Sequence, residues 1–173
     1  IASPHQPEKM FAIDTNTTPE TVLAAAKAGQ SLSKGDFYQF NFQGLDLQRA
    51  ILTSATLVRA NCEGTQLRGA NLQEADLRAA SLSQACLVEA NLQGACLYRT
   101  DLSGADLSGA DLADAQLKGA RYDSQTIFPA GFAYKSSGAI GPGANLNGAA
   151  LNTANLRHAD LQDANLLGAY LGG

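Results

Sequence analysis

The sequence predicts a repeat solenoid, and three observations predict it. From Gly35 to Ser124 an apolar residue returns at every fifth position: Phe37, Phe42, Leu47, Leu52, Leu57, Cys62, Leu67 and onward through Leu117 to Tyr122. Two residues before each stands, nearly always, a small side chain, as at Ala50, Ala55, Ala60, Thr65 and Ala70. The five-residue period also fits neither a helix face, which needs about 3.6 residues, nor a strand face, which needs about 2. A pentad cannot bury its own apolar side chain, so it must stack on neighbours that do the same.

The unit reads A-(D/N)-L-x-x, as in Ala70-Asn71-Leu72-Gln73-Glu74 and Ala105-Asp106-Leu107-Ser108-Gly109. At these residues the chain resembles the pentapeptide-repeat family, over the greater part of its 173 residues. The resemblance implies an all-β fold: a right-handed, parallel, four-sided β-helix with four pentads per coil and a short N-terminal capping α-helix. In it the central Leu and the preceding small residue point inward, and the other three positions face solvent. The residues agree with this, because Ala is the only common side chain small enough to share a narrow interior with a Leu on every side. Stacked coils would lie about 4.8 Å apart, as in any β ladder.

Taken in order, residues 1–16 read as a loose tail in which Phe11 and Ile13 lie against the first coil. Residues 17–34 carry the capping helix. Thr18 is its cap, Pro19 its first residue, Glu20 sits at the positive end of the dipole, and Gly29 stops the helix after Ala28. Val22, Leu23 and Ala26 share one face, suited to covering the open end of a solenoid. The β-helix spans 35–124, and its first coil places Phe40 and Leu45 where Ala normally stands.

Residues 125–143 break the register as an irregular loop or bulged coil, read as a partly ordered loop anchored by Phe128 and Phe132. Ile127 and Phe132 still keep the five-residue phase, but the next centres, Leu146, Leu151, Leu156, Leu161, Leu166 and Leu171, are shifted by one. Residues 144–173 continue the same solenoid. Leu167, Tyr170 and Leu171 near its end could support a homodimer.

Composition narrows the function. The net charge of −4 argues against a general nucleic-acid binder. Trp is absent, and Ala, Leu and Gly dominate, so the core is thin and uniform. No apolar run approaches the roughly 20 residues of a membrane span, so no membrane partner is expected. With no secretory signal and with cysteines that do not pair, a cytoplasmic setting is favoured. An exported mature form, in a periplasm or thylakoid lumen, stays open because the chain begins at Ile1. Of the three cysteines, Cys62 is inward, whereas Cys86 and Cys96 are half a coil apart and cannot bridge.

Nothing in the sequence assembles a catalytic site. His5 and His158 lack a triad partner, and no phosphate loop or metal-ligand spacing appears. Asp101, Asp106 and Asp111 fall on successive faces and read as backbone-bonding corner residues. No enzyme activity and no cofactor is expected.

Sorting outward residues by face is more informative. The face through Leu57, Leu77 and Leu97 carries Arg59, Arg78, Arg99 and Lys118 with Tyr38 and Tyr98, against Asp36 and Asp76. The face through Leu72, Leu92 and Leu112 carries Glu74, Asp111 and Asp114 and no base. Such division of charge suits a non-enzymatic scaffold that binds a protein partner of complementary potential. Resemblance to the quinolone-resistance members of the family implies an alternative, DNA mimicry directed at DNA gyrase. Three acids make a sparse copy of a phosphate backbone, so gyrase is not the favoured partner.

Overall fold

The computed structural model describes residues 9–172. Residues 1–8 of the expected tail, with His5, lie outside the described residues. The ladder is made of single parallel bridges: Asp46 pairs with Gln66, Gln66 with Cys86, and Cys86 with Asp106. Each step is twenty residues, so the chain closes one coil in four pentads and like positions stack in four columns. At each bridge the Leu47 N–H donates to Gln66 O (2.8 Å) and the Gln66 N–H to Leu45 O (2.9 Å), a pattern repeated along the rod.

Within a pentad, the local chemistry explains the motif. The Ala50 N–H donates to Leu47 O (3.1 Å), closing a four-residue turn whose third residue, Arg49, has φ of 58°. Positive φ at that position is the mark of a type II turn. Glycine fills it in many pentads, but among the described residues thirteen non-glycine residues also adopt positive φ, Arg59, Glu74 and Arg99 among them. Each costs on the order of 1 kcal/mol, tolerated because the ladder fixes both ends. The Asp or Asn before the Leu accepts the backbone N–H two residues on, as Asp106 Oδ1 does from Ser108 (2.9 Å). That contact is why a short side-chain carbonyl recurs there. Asp101 and Asp111 make the same bond, to Ser103 and Ala113.

The interior is Leu over Leu and Ala over Ala. Leu72, Leu77, Leu82, Leu87 and Leu92 are fully buried, as are Ala70 and Ala75. Where Thr replaces Ala, its hydroxyl is accommodated: Thr65 donates to Phe42 O and Thr100 to Leu77 O, each at 2.8 Å. At the first coil Phe37, Phe40 and Phe42 pack edge to face or tilted, with centroids 4.8–5.6 Å apart.

Helix α1 runs Pro19–Lys27, with Thr18 and Thr21 forming a reciprocal cap. Its Val22 and Ala25 belong to the same buried cluster as Leu32 and Phe37. The Glu20 carboxyl is held below its usual range by a hydrogen bond with Thr18. Upstream, Met10 bridges Ser31 in parallel, and Phe11 and Ile13 pack on the core.

The break corrects one expectation. Ile127 does not take the central position: it bridges Asp106 from the outward position, twenty-one residues on, and is 51% exposed. Phe128 turns in instead. The cause is Asp123, whose Oδ1 accepts from Gly104, Gln125 and Thr126 N–H groups and builds a turn one residue longer than its neighbours. Phe128 stacks on Tyr134 (4.6 Å, 7°), and Tyr122 meets both edge-on. Tyr134–Ser136 form a short 3₁₀ turn. The ladder resumes where Ile140 bridges Arg121. Gly141 must be glycine, since a Cβ would stand 2.6 Å from the Tyr122 ring.

Leu146 and Leu151 are buried again, while Leu156, Leu161 and Leu166 are half-covered and Leu171 is exposed. Leu87→Lys should abolish the native circular dichroism signal, because an ammonium in this interior has no partner and costs several kcal/mol. A native spectrum in that variant would refute the inward assignment.

Candidate functional site

The column containing Leu57, Leu77 and Leu97 brings the six expected basic-face residues onto one side of the rod. With about 4.8 Å per coil, Tyr38 and Tyr98 stand three coils, roughly 14 Å, apart. Arg59, Arg78, Arg99 and Lys118 are all exposed. They are not equally available. Arg59 Nη1 donates to the Tyr38 hydroxyl (3.4 Å), a long bond that leaves most of its fork free. Arg78 grips Asp76 through Nε (2.8 and 3.0 Å) and Nη2 (2.6 Å). The guanidinium holds the Asp76 carboxyl below its ordinary range. The Arg78 charge is therefore answered within its own column.

Arg99 does a different job. Its guanidinium lies over the Tyr98 ring (5.0 Å to the centroid), and Nη2 donates to Thr153 O (2.9 Å) and Thr153 Oγ1 (2.6 Å). Arg121, paired with Asp101, donates to Arg157 O (2.9 Å) in the same way. Both arginines reach past the break at 125–143 and give side-chain donors to carbonyls of the C-terminal coil. Sequence reasoning missed these partners, 54 and 36 residues downstream, because the five-residue register is interrupted between them. Lys118 stands at the rim of a cleft beside Tyr98 and Arg99.

The expected acidic face is thinner than the basic one. Glu74 accepts from the Ser54 hydroxyl (3.2 Å), and Asp111 is occupied by the Ala113 N–H (2.9 Å). Glu74 and Asp114 occupy corner positions two coils apart, roughly 10 Å. Among the described residues no group of three or more His, Cys, Asp or Glu is placed to hold a metal. Among the described residues no helix is long and apolar enough to cross a membrane. The three cysteines are free, with Cys62 buried and its thiol pushed up to about 12 by burial.

Two outcomes test this description. Under native conditions iodoacetamide should label Cys86 and Cys96 but not Cys62, read by intact mass; prompt triple labelling would contradict the buried position of Cys62. Arg99→Gln should speed amide hydrogen exchange in residues 151–156 and leave residues 57–92 unchanged. Unaltered exchange in 151–156 would mean that the Thr153 bonds do not hold the coil.

A family model for pentapeptide repeats matches in 8 copies, over residues 46–84, 55–94, 85–121 and 143–173, more than half of the chain. Among solved structures the chain is similar to Rfr23, a pentapeptide repeat protein from the cyanobacterium Cyanothece 51142. The identity is 37%, covering 57% of this chain and 63% of that one, with a TM-score of 0.31. It is similar also to a pentapeptide repeat protein from the Arabidopsis thaliana thylakoid lumen, at 29% identity over 54% and 66% of the two chains (TM-score 0.34). A third is HetL of Nostoc sp. strain PCC 7120, a pentapeptide repeat protein involved in heterocyst differentiation regulation, at 35% identity over 83% and 75% (TM-score 0.26). The chain thus spans less than two thirds of the Rfr23 chain and about two thirds of the lumenal one. No curated protein matches it. With the repeat matched over most of the ladder, the chain belongs to the pentapeptide-repeat family.

Proposed function

We propose that this chain is a non-enzymatic scaffold: a right-handed, four-sided β-helix, capped by α1, that binds a partner protein through its basic column. The observation that carries the reading is the juxtaposition of Arg59 and Lys118, exposed and without a carboxylate partner among the described residues, with Tyr38 and Tyr98. Amphipathic rings beside free cations on a flat, ladder-fixed surface suit contact with an acidic protein face at little ordering cost. Arg78 adds little, being neutralised by Asp76, and Arg99 contributes chiefly by holding Thr153.

Gyrase mimicry is the weaker alternative. Duplex DNA carries one charge per about 1.7 Å of axis, and an acid every second coil falls far below that density. The net charge of −4 argues against direct nucleic-acid binding. A second surface, the exposed Leu167, Tyr170 and Leu171, is available to a second copy of the chain. The cytoplasm is the favoured compartment, and the thylakoid-lumen relative supports keeping an exported form as the alternative.

The test is affinity capture from a lysate of the source organism, comparing the wild type with Arg59→Glu/Lys118→Glu and with Arg78→Gln. A protein enriched by the wild type and by Arg78→Gln, but lost on the double variant, is the expected result. Capture that survives the double variant would overturn the assignment of this face. Gyrase supercoiling should be unchanged at micromolar protein; inhibition would restore mimicry.

A further inference from the structure

The break opens a cleft of about 550 Å³ lined by residues 136–138 and by the pentads of residues 145–154. Its volume lies within the roughly 300–1,000 Å³ of small-molecule sites. Lys118, Arg99 and Tyr98 line it, together with Ala149, Leu151 and Ala154, which supply apolar surface. Among the described residues no carboxylate lines it, although the chain carries a net charge of −4. Arg99 is fixed there by Thr153 and by the Tyr98 ring, so one cation is already oriented before anything binds. Preorganisation of that kind lowers the ordering cost of a ligand.

We infer that this cleft is a binding site for a small amphipathic organic anion, with its carboxylate or phosphate head between Lys118 and Arg99 and its apolar body on Ala149, Leu151 and Ala154. The site is formed by the departure from the repeat, where the chain between Phe128 and Ile140 leaves the ladder. It shares Lys118 and Tyr98 with the proposed protein-binding column, but ligand binding in the cleft is read without any protein partner.

The test is a set of titrations followed by amide shifts in two-dimensional NMR, using benzoate, phenyl phosphate, neutral benzamide and inorganic phosphate. Saturable shifts at Gly119, Ser137, Gly138 and Thr153 with benzoate or phenyl phosphate are expected, and the stronger of the two identifies the head group. Benzamide should bind roughly tenfold more weakly than benzoate, for want of charge-assisted hydrogen bonds. Lys118→Gln should weaken the anion about fivefold, and Ala150→Phe, which fills the cleft, should abolish its shifts while leaving the spectrum of residues 57–97 native. Equal binding of benzamide and benzoate, shifts scattered away from these residues, or inorganic phosphate binding as tightly as phenyl phosphate would each overturn the proposal. So would an absence of saturable shifts with either aromatic anion.

Discussion

The width of the coil interior governs everything else in this protein. Four pentads enclose a channel in which each side contributes one large and one small side chain, and leucine with alanine fills it at close-packed density. The chain must then turn four times per coil, and from residue 34 to residue 119 each turn places its third residue at positive φ. It must also satisfy its backbone by pairing with the coils above and below, since no helix or wide sheet does so. Stability accumulates coil by coil from stacked leucines and nearest-neighbour ladders, as in other solenoids. A charge introduced into one coil interrupts both.

Because the inward positions and corners are fixed by this geometry, chemistry is confined to the outward positions. These are not independent of one another. A corner side chain lies along the ladder over the next coil, and Arg99 Cγ would stand 3.5 Å from a Cβ at Gly119. Alternating a long side chain with glycine down a column therefore lets the long one lie flat, as Glu74 does over Gly94 and Glu89 over Gly109. Charge counted by column thus exceeds the charge presented. Arg78 and Asp76 cancel, Arg68 and Glu89 pair at 3.1 Å, and Arg121 and Asp101 form a third pair. An exposed pair such as Arg68 and Glu89 adds little to stability, but all three remove monopoles from the surface.

Much of this was legible in the sequence because it depends on local periodicity. The five-residue spacing of Leu47 through Leu117 assigns the inward set, and the Thr18-Pro19 pair marks the start of α1. The short acids at Asp101, Asp106 and Asp111 accept the backbone N–H two residues on, as turn formers do. What was not legible depends on the route of the chain through the break. Ile127 and Phe128 are both apolar, so a one-residue slip leaves no mark in hydrophobicity; only the bonds gathered by Asp123 reveal it. The Arg99–Thr153 and Arg121–Arg157 contacts join residues whose column relationship follows from the path of residues 128–139, which carry no repeat. The cleft beside Lys118 is hidden for the same reason.

The twenty-residue step between like positions gives this molecule an angular reading frame. Gaining or losing four pentads would lengthen or shorten the rod while every column kept its direction. Gaining or losing one pentad between Arg59 and Arg99 would instead turn everything downstream by a quarter revolution, carrying Arg99 and Lys118 onto a different side of the rod from Tyr38 and Arg59. The coils between residues 59 and 99 can therefore vary in number only in whole turns if the basic column is to stay on one side. In this chain the unit of change is the coil, although the unit of sequence is the pentad.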